Sequence, residues 1–151
     1  TPFGTSFLCV IADDLLAVAE SNEGDNTGSR SVSIVSATPV ITLKVNGLHP
    51  TPPTVPTTGP VSLTLSVSPT TYTATLSWYW ALIYNGTVYW VTSSGISTTP
   101  APLLASPPIT LTDAPLLNLT LPPGTSMTNA MFLVSPAGAV VASDFITATR
   151  P

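Results

Sequence analysis

Charged side chains are scarce in this chain, which has three Lys or Arg and seven Asp or Glu among 151 residues. Apart from one histidine, the only cations are Arg30, Lys44 and Arg150. A protein that binds nucleic acid neutralises phosphates with several basic side chains, and an anionic membrane surface is bound through a basic cluster as well. The composition therefore excludes nucleic acid and a charged membrane surface as partners.

Cysteine and histidine occur once each, as Cys9 and His49. One cysteine cannot form an internal disulfide, and one Cys with one His cannot complete the four-ligand shell of a structural zinc ion. His49 lies next to Pro50, so a catalytic pair would need a partner from a distant part of the chain. We therefore predict no catalytic residue, no metal ion and no cofactor.

Two weaker possibilities for chemistry stay open. Asp113 and Asp144 supply the two carboxylates that glycoside cleavage requires, although each lies in a turn-like sequence in which Asp is ordinary. The polar stretch at residues 22–26 offers carboxylate and amide oxygens of the kind that bind calcium. It lacks the spacing of an EF-hand, so we prefer a solvated loop.

Long apolar runs are also absent. Uninterrupted runs such as Phe7 to Ala12 have at most seven residues, whereas a membrane-spanning helix needs about 20 such residues. Hydrophobic residues nevertheless make up 44% of the chain, the opposite of the composition of a disordered protein, so we expect an ordered one. With so little charge, its surface must be covered largely by Ser and Thr hydroxyls, which favours an extracellular or cell-surface location.

The chain is rich in apolar residues at every second position. In residues 61–67, Val and Leu alternate with Ser and Thr, and residues 41–45 and 117–121 show the same period. This alternation is typical of strands with one buried face, and short segments of this kind between turn residues are typical of sandwiches. We predict an all-β fold, an immunoglobulin-like or jelly-roll β-sandwich of mainly antiparallel strands with little helix.

The N-terminal part differs in composition, since residues 1–28 hold five of the seven acidic side chains. We predict an N-terminal arm with an acidic loop at 1–28 and a β-sandwich domain at 29–151. Within the arm, residues 5–12 are predicted as a strand, while residues 13–20 fit a helix or a second strand. Residues 49–60 contain five prolines and no periodicity, which predicts an extended Pro/Thr-rich connector.

The arm is apolar at consecutive positions, namely Phe7, Leu8, Cys9, Val10 and Ile11. A strand with this sequence is apolar on both faces and must be buried on both. Two interpretations follow: it is the first strand of its own domain, or it inserts as a donor strand into a neighbouring subunit, where main-chain hydrogen bonds complete an open sheet edge. The second interpretation makes these five residues a subunit interface.

The segment LSWYWALIYNGTVYWVTSS carries all three tryptophans and three of the four tyrosines. Its Asn85-Gly86 pair is typical of a type I′ turn, in which both central residues have positive φ. A two-residue turn fixes the register of the hairpin and places Trp80 opposite Val91. The face that includes Trp78 and Trp80 is predicted to be core.

The opposite face of this hairpin becomes apolar near the turn, with Tyr79, Ile83, Val88 and Trp90. A solvated face of a strand pair normally stays polar, so something must cover these residues. One interpretation is cover by the proline-rich segment 98–108 or by the N-terminal arm. The other interpretation is contact with a second subunit or a ligand, because exposed apolar patches often form such contacts. Under this interpretation the four residues are interface residues.

Two Asn-x-Thr sequences, at Asn85 and Asn118, are predicted N-glycosylation sites. Asn85 lies at the hairpin tip. Asn118 alternates with leucines, so it is expected to point outward. Glycans at these sites would be compatible with an extracellular location.

The chain resembles secreted β-sandwich subunits of extracellular filaments, including archaeal TasA-like threads and donor-strand pilins. The resemblance rests on the N-terminus at Thr1 without a methionine, the apolar arm TSFLCVIA and the Thr/Ser/Pro-rich sandwich. The chain departs from chaperone–usher pilins, which usually carry a cysteine pair. The resemblance implies a non-enzymatic structural subunit of an extracellular or surface filament or pilus-like assembly, a homo-oligomer or polymer of identical subunits. The alternatives are a carbohydrate-binding module with Tyr79 and Trp90 as stacking platforms, a protruding domain of a viral capsid protein and, least favoured, an enzyme.

Overall fold

The computed structural model describes the backbone of residues 4–11 and 27–34 and all atoms of residues 38–49 and 54–151. The chain forms two compact units, Thr1–Ser36 and Ala37–Pro151. The described residues form strands, turns and irregular segments, and the protein is all-β with mostly antiparallel pairing. No helix in this part of the chain is long and apolar enough to cross a membrane.

The first unit contains β1 (Gly4–Ile11) and β2 (Thr27–Ile34), which form an antiparallel two-stranded sheet. The strand predicted at residues 5–12 is therefore present, whereas residues 12–26, with the acidic loop, lie outside the described residues. The predicted boundary between residues 28 and 29 falls inside β2. The two compact units are divided between residues 36 and 37, and the hydrogen-bonding partner of β2 is β1.

The pairing of β1 with β2 also bears on the donor-strand interpretation. Phe7 lies opposite Ser31 and Ile11 opposite Thr27 of the same chain, so one edge of β1 is already hydrogen-bonded within its own subunit. A bare arm inserted between two strands of a neighbour needs both edges. The arm is thus paired in its own subunit, and an interface through it would involve a two-stranded sheet.

The second unit consists of two sheets. The smaller sheet has the order β10-β5-β3 and contains β3 (Val40–Val45), β5 (Pro60–Ser68) and β10 (Leu111–Thr120). The larger, seven-stranded sheet contains β4 (Thr54–Pro56), β6 (Leu76–Tyr84), β7 (Thr87–Thr92), β8 (Gly95–Ser97), β9 (Leu104–Ser106), β11 (Thr125–Val134) and β12 (Val140–Arg150). Its order is β4-β12-β11-β6-β7-β8, with β9 beside the first residues of β6. The Pro/Thr-rich connector thus includes a short strand, β4, which pairs in parallel with β12.

The core lies between the two sheets and follows the two-residue period of the sequence. In β5, residues 61, 63, 65 and 67 are buried, and the Ser and Thr residues between them are half-buried. The facing side of the larger sheet contributes buried residues from three strands: Leu76, Trp78, Trp80, Met127, Met131, Leu133, Ile146 and Ala148. Burial of these side chains is the main stabilising contribution to the fold.

The aromatic hairpin has the predicted register. Trp80 lies opposite Val91, and the turn residues Asn85 and Gly86 both have positive φ, at 50° and 75°. Gly86 adopts this conformation without strain, while Asn is among the few other residues that tolerate it. The two tryptophans predicted to be core, Trp78 and Trp80, are buried.

One polar side chain lies in the middle of this core. Asn129 on β11 is fully buried, and its Oδ1 accepts a hydrogen bond of 3.4 Å from Nε1 of Trp80. Its Nδ2 has no hydrogen-bond partner within the described residues. Asn129 therefore satisfies the indole of Trp80 and leaves one of its own donors unpaired, which costs stability.

Replacing Asn129 with Ala should lower the free energy of unfolding by about 2–3 kcal/mol, because it leaves a cavity and removes the partner of the Trp80 N–H. Urea denaturation measures the effect. The matched control is Asn118→Ala on the exposed face of β10, where a surface substitution is expected to change stability by less than about 0.5 kcal/mol. Equal effects of the two substitutions would contradict this account of the core.

Candidate functional site

The side of the seven-stranded sheet that faces away from the core, called here the outer face, is predominantly apolar. Tyr79 lies opposite Phe132, Ala81 opposite Ala130, and Phe145 opposite Ala130 on its other side. Because directly opposed residues of a sheet share a face, the apolar residues of the outer face are Tyr79, Ala81, Ile83, Val88, Trp90, Ala130, Phe132, Val134, Val140 and Phe145. They extend over four neighbouring strands, β7, β6, β11 and β12.

The outer face carries no charged residue among those described. The four charged side chains of the described sandwich lie elsewhere: Lys44 and Asp113 form an ion pair on the smaller sheet, and Asp144 lies opposite the buried Met131. Arg150 donates a hydrogen bond of 2.7 Å to the carbonyl oxygen of Leu121. A second apolar surface can therefore approach the outer face without desolvating a charge.

The outer face is uneven as well as apolar. A hollow of about 470 Å³ is lined by Tyr79, Trp90, Pro100, Phe132, Val134, Gly138 and Val140. The rings of Tyr79 and Trp90 meet edge to face at 82°, with their centroids 5.9 Å apart. Beside the hollow, Ala81 and Ala130 form a low floor that is 3% and 6% exposed, and Phe145 beyond them is 55% exposed.

The proline-rich segment 98–108 borders this face and leaves most of it uncovered. Pro100 lines the hollow, while Leu103 packs against the core and donates its N–H to the carbonyl oxygen of Trp78 at 2.7 Å. Val140 and Phe145 remain more than half exposed. Segment 98–108, which one interpretation of the aromatic patch made its cover, therefore covers only the rim of the hollow.

The edges of the two sheets are blunted in several ways. β4 and β8 are three residues long, and β4 contains Pro56, which has no N–H to donate. β10 has register shifts on both sides of Ala114–Pro115 and a positive φ at Asp113. Short edges, prolines and bulges are devices that prevent pairing with another chain. Edge-to-edge pairing of the sandwich is thus disfavoured.

The edge of β3 is closed by side chains. The N–H of Leu43 donates to Oδ2 of Asp144 at 2.7 Å, and Nδ1 of His49 donates to the carbonyl oxygen of Leu43 at 2.8 Å. The same His49 nitrogen lies 3.6 Å from Asp144. Val45 and Leu48 exchange two backbone hydrogen bonds farther along the edge. His49 and Asp144, both considered for catalysis from the sequence, thus satisfy backbone groups of an edge strand.

The second carboxylate, Asp113, has a different set of partners. Its Oδ1 accepts hydrogen bonds from Nζ of Lys44 at 2.7 Å and from Oγ of Ser66 at 3.0 Å. These two donors, Lys44 first, hold the pKa of Asp113 below its ordinary value of 3.8. Asp113 and Asp144 therefore take part in separate interactions, each with its own structural partners.

An apolar cleft of about 380 Å³ opens where the smaller sheet ends. Tyr84, Tyr89 and Leu82 line it from the larger sheet, and Leu119 and Leu121 line it from the other side. A three-stranded sheet cannot cover the full width of a seven-stranded one, so residues such as Leu82, Tyr84 and Leu119 stay half-exposed at the margin of the core. The cleft is an extension of the core toward solvent.

The predicted site residues fall into three groups. Tyr79, Ile83, Val88 and Trp90 all lie on the outer face, with Ile83 and Val88 38% and 40% exposed. The predicted interface residues of the arm, 7–11, belong to β1, whose side chains lie outside the described residues. Asn85 and Asn118, the predicted glycosylation sites, are exposed.

Sequence reasoning missed the half of the outer face that β11 and β12 supply. Phe132, Val140 and Phe145 lie next to the predicted patch because β11 pairs with β6 and β12 pairs with β11. A signal was present, since Phe132 and Phe145 occupy positions out of phase with their buried neighbours Leu133 and Ile146. Strands β6, β11 and β12 carry apolar residues on both faces, which is typical of a sheet that is buried on both sides.

No family model matches the chain, and no curated protein or solved structure matches it either.

Replacing Asp144 with Ala should lower the free energy of unfolding by about 1–3 kcal/mol, because the Leu43 N–H at the edge of β3 loses its acceptor. Urea denaturation at neutral pH checks this expectation. The companion variant His49→Ala removes a more exposed hydrogen bond and should have a smaller effect. An Asp144→Ala protein as stable as the original chain would show that the edge needs no such cap.

Replacing Asp113 with Asn should lower stability at neutral pH and make no difference in strong acid. The pKa of Asp113 is lowered on folding, so its contribution is present above about pH 4 and disappears as the pH falls through the lowered pKa. Unfolding midpoints of both proteins between about pH 2 and pH 7 test the sign. The unfolding midpoint of the Lys44→Gln variant should likewise approach that of the original chain as the pH falls over the same range. A pH-independent difference would contradict the assignment.

Proposed function

We propose that the protein is a non-enzymatic structural subunit of an extracellular or surface assembly of identical chains. The observation that carries the proposal is the outer face, which extends over four strands, is uncharged and remains exposed at Val140 and Phe145. The largest exposed apolar patch of a protein is often its interaction site. The blunted sheet edges support a contact through a face rather than an edge.

The remaining features agree with a structural role. His49, Asp113 and Asp144, the described residues with the capacity for acid–base chemistry that we considered, are bound to backbone groups or to Lys44 and Ser66. The surface has little charge, and both Asn-x-Thr asparagines are exposed. A filament or pilus-like assembly outside the cell, with glycans at Asn85 and Asn118 where the producing cell attaches them, fits this composition.

The carbohydrate-binding alternative is less well supported by the geometry. A sugar ring stacks on the open face of an aromatic ring, whereas Tyr79 and Trp90 meet at 82° with the edge of one against the face of the other. Both rings are also half-buried. They are arranged as packing partners in a larger apolar surface. The viral capsid alternative shares the structural role and differs in the shape of the assembly, which is a closed shell.

Replacing Trp90 with Ser should weaken assembly while leaving the sandwich folded. Loss of a central aromatic residue from an interface costs on the order of 2 kcal/mol, which corresponds to an about 30-fold weaker association. Negative-stain images of the purified chain show whether threads or shells form, and sedimentation compares their amount between variants. Far-UV circular dichroism checks the fold.

The matched control for Trp90→Ser is Ile109→Ser, which removes an apolar side chain that is 57% exposed outside the outer face. This control should assemble like the original chain. If Trp90→Ser stays folded and assembles normally, the outer face is not the contact. If the original chain forms no assembly, the proposed function is wrong.

A further inference from the structure

We infer that the partner of the outer face is the outer face of a second copy, packed about a two-fold axis. This inference deepens the proposed function and rests on it. A two-fold contact is isologous, so one surface must be complementary to itself. Self-complementarity requires a projection and a recess on the same surface, separated by a flatter region through which the axis passes.

The outer face has this arrangement. The projection is Phe145, 55% exposed, and the recess is the hollow of about 470 Å³ beside Trp90 and Phe132. Phe145 lies two residues along β12 from Ser143, the residue opposite Phe132, which is about 7 Å. The hollow offers ample room for a phenyl ring.

The flat region lies between them. Ala81 and Ala130 are opposed on β6 and β11, and Ala130 is also opposed to Phe145. The alanine side chains are small and only 3% and 6% exposed, so the surface is low at this point, and sheets that pack face to face lie about 10 Å apart. With the axis above Ala81 and Ala130, Phe145 of each copy lies over the hollow of the other.

The absence of charge among the described residues of the outer face is compatible with the same partner. When a surface meets its own copy about a two-fold axis, charges close to the axis lie near their like, which destabilises the contact. The described residues of the outer face are uncharged, and Lys44, Asp113, Asp144 and Arg150 are engaged elsewhere. The face therefore meets itself without electrostatic repulsion.

The area predicts a weak dimer. Four strands about 4.8 Å apart and seven residues of about 3.3 Å each give a patch roughly 20 Å on a side, or about 400 Å² per copy. Two copies bury about 800 Å² or somewhat more, which is below the roughly 1,200 Å² of the smallest stable specific interfaces. We expect a dissociation constant on the order of 1–100 µM, so the contact becomes effective at high local concentration or in a multivalent assembly.

Two substitutions test the geometry by sedimentation equilibrium of the full chain. Phe145→Ser removes the projection, and Val140→Trp fills the hollow at a side chain that is 58% exposed. Each should weaken self-association at least tenfold, relative to Ile109→Ser. Val140→Trp is decisive, because it adds apolar surface and would strengthen a non-specific hydrophobic contact.

A mixture of the two variants gives the positive result. The filled hollow of the Val140→Trp chain then faces a chain whose projection has been removed by Phe145→Ser. At the other end of the contact, the intact Phe145 of the Val140→Trp chain enters the open hollow of its partner. The mixture should therefore associate more strongly than either variant alone.

The outcomes separate this inference from the proposed function. If the original chain associates and Val140→Trp associates equally or better, the inferred geometry is wrong while the proposed function stands. If the original chain stays monomeric up to about 100 µM and no assembly is seen by negative stain, both are wrong.

Discussion

The constraint on which this structure depends is that β6 and β11, the central strands of the larger sheet, are apolar on both faces. Trp78 and Trp80 face the smaller sheet, while Tyr79 between them lies on the outer face beside Phe132. A sheet of this kind needs a layer on each side. The smaller sheet supplies the layer on one side, and no strand described between residues 38 and 151 covers the other side.

A β-sandwich can associate in two ways, through pairing of its edge strands or through packing of its faces. Edge strands pair with almost any other edge, since the hydrogen bonds are those of the main chain. Here the edges are short, bulged or closed by side chains such as Asp144 and His49. A face selects its partner by shape instead, through features such as the Tyr79–Trp90 pair and the hollow beside it. Blunted edges together with an apolar face therefore favour a defined contact over indiscriminate aggregation.

Local signals predicted much of the fold. The alternation in residues 61–67 and the Asn85-Gly86 turn act over a few residues, so a strand, a hairpin and its register could be derived from the sequence. The neighbours of a strand depend on distant chain segments, which a two-residue period does not encode. For this reason the sequence pattern places β2 in the sandwich although its partner is β1, and it does not associate Phe132 and Phe145 with the aromatic patch.

A two-fold contact through the outer face closes on itself and gives a dimer, so a filament needs a second, different contact. The blunted edges of the sandwich disfavour that role. β1 pairs with β2 along one edge, and its other edge has no strand partner among the described residues. An isolated two-stranded sheet is marginally stable in water, and residues 7–11 are apolar at every position. Under the proposed function, a second contact through the N-terminal sheets would link the proposed dimers into a continuous thread. In the proposed thread each weak contact would reinforce the other, so that a face of modest area would suffice for a stable assembly.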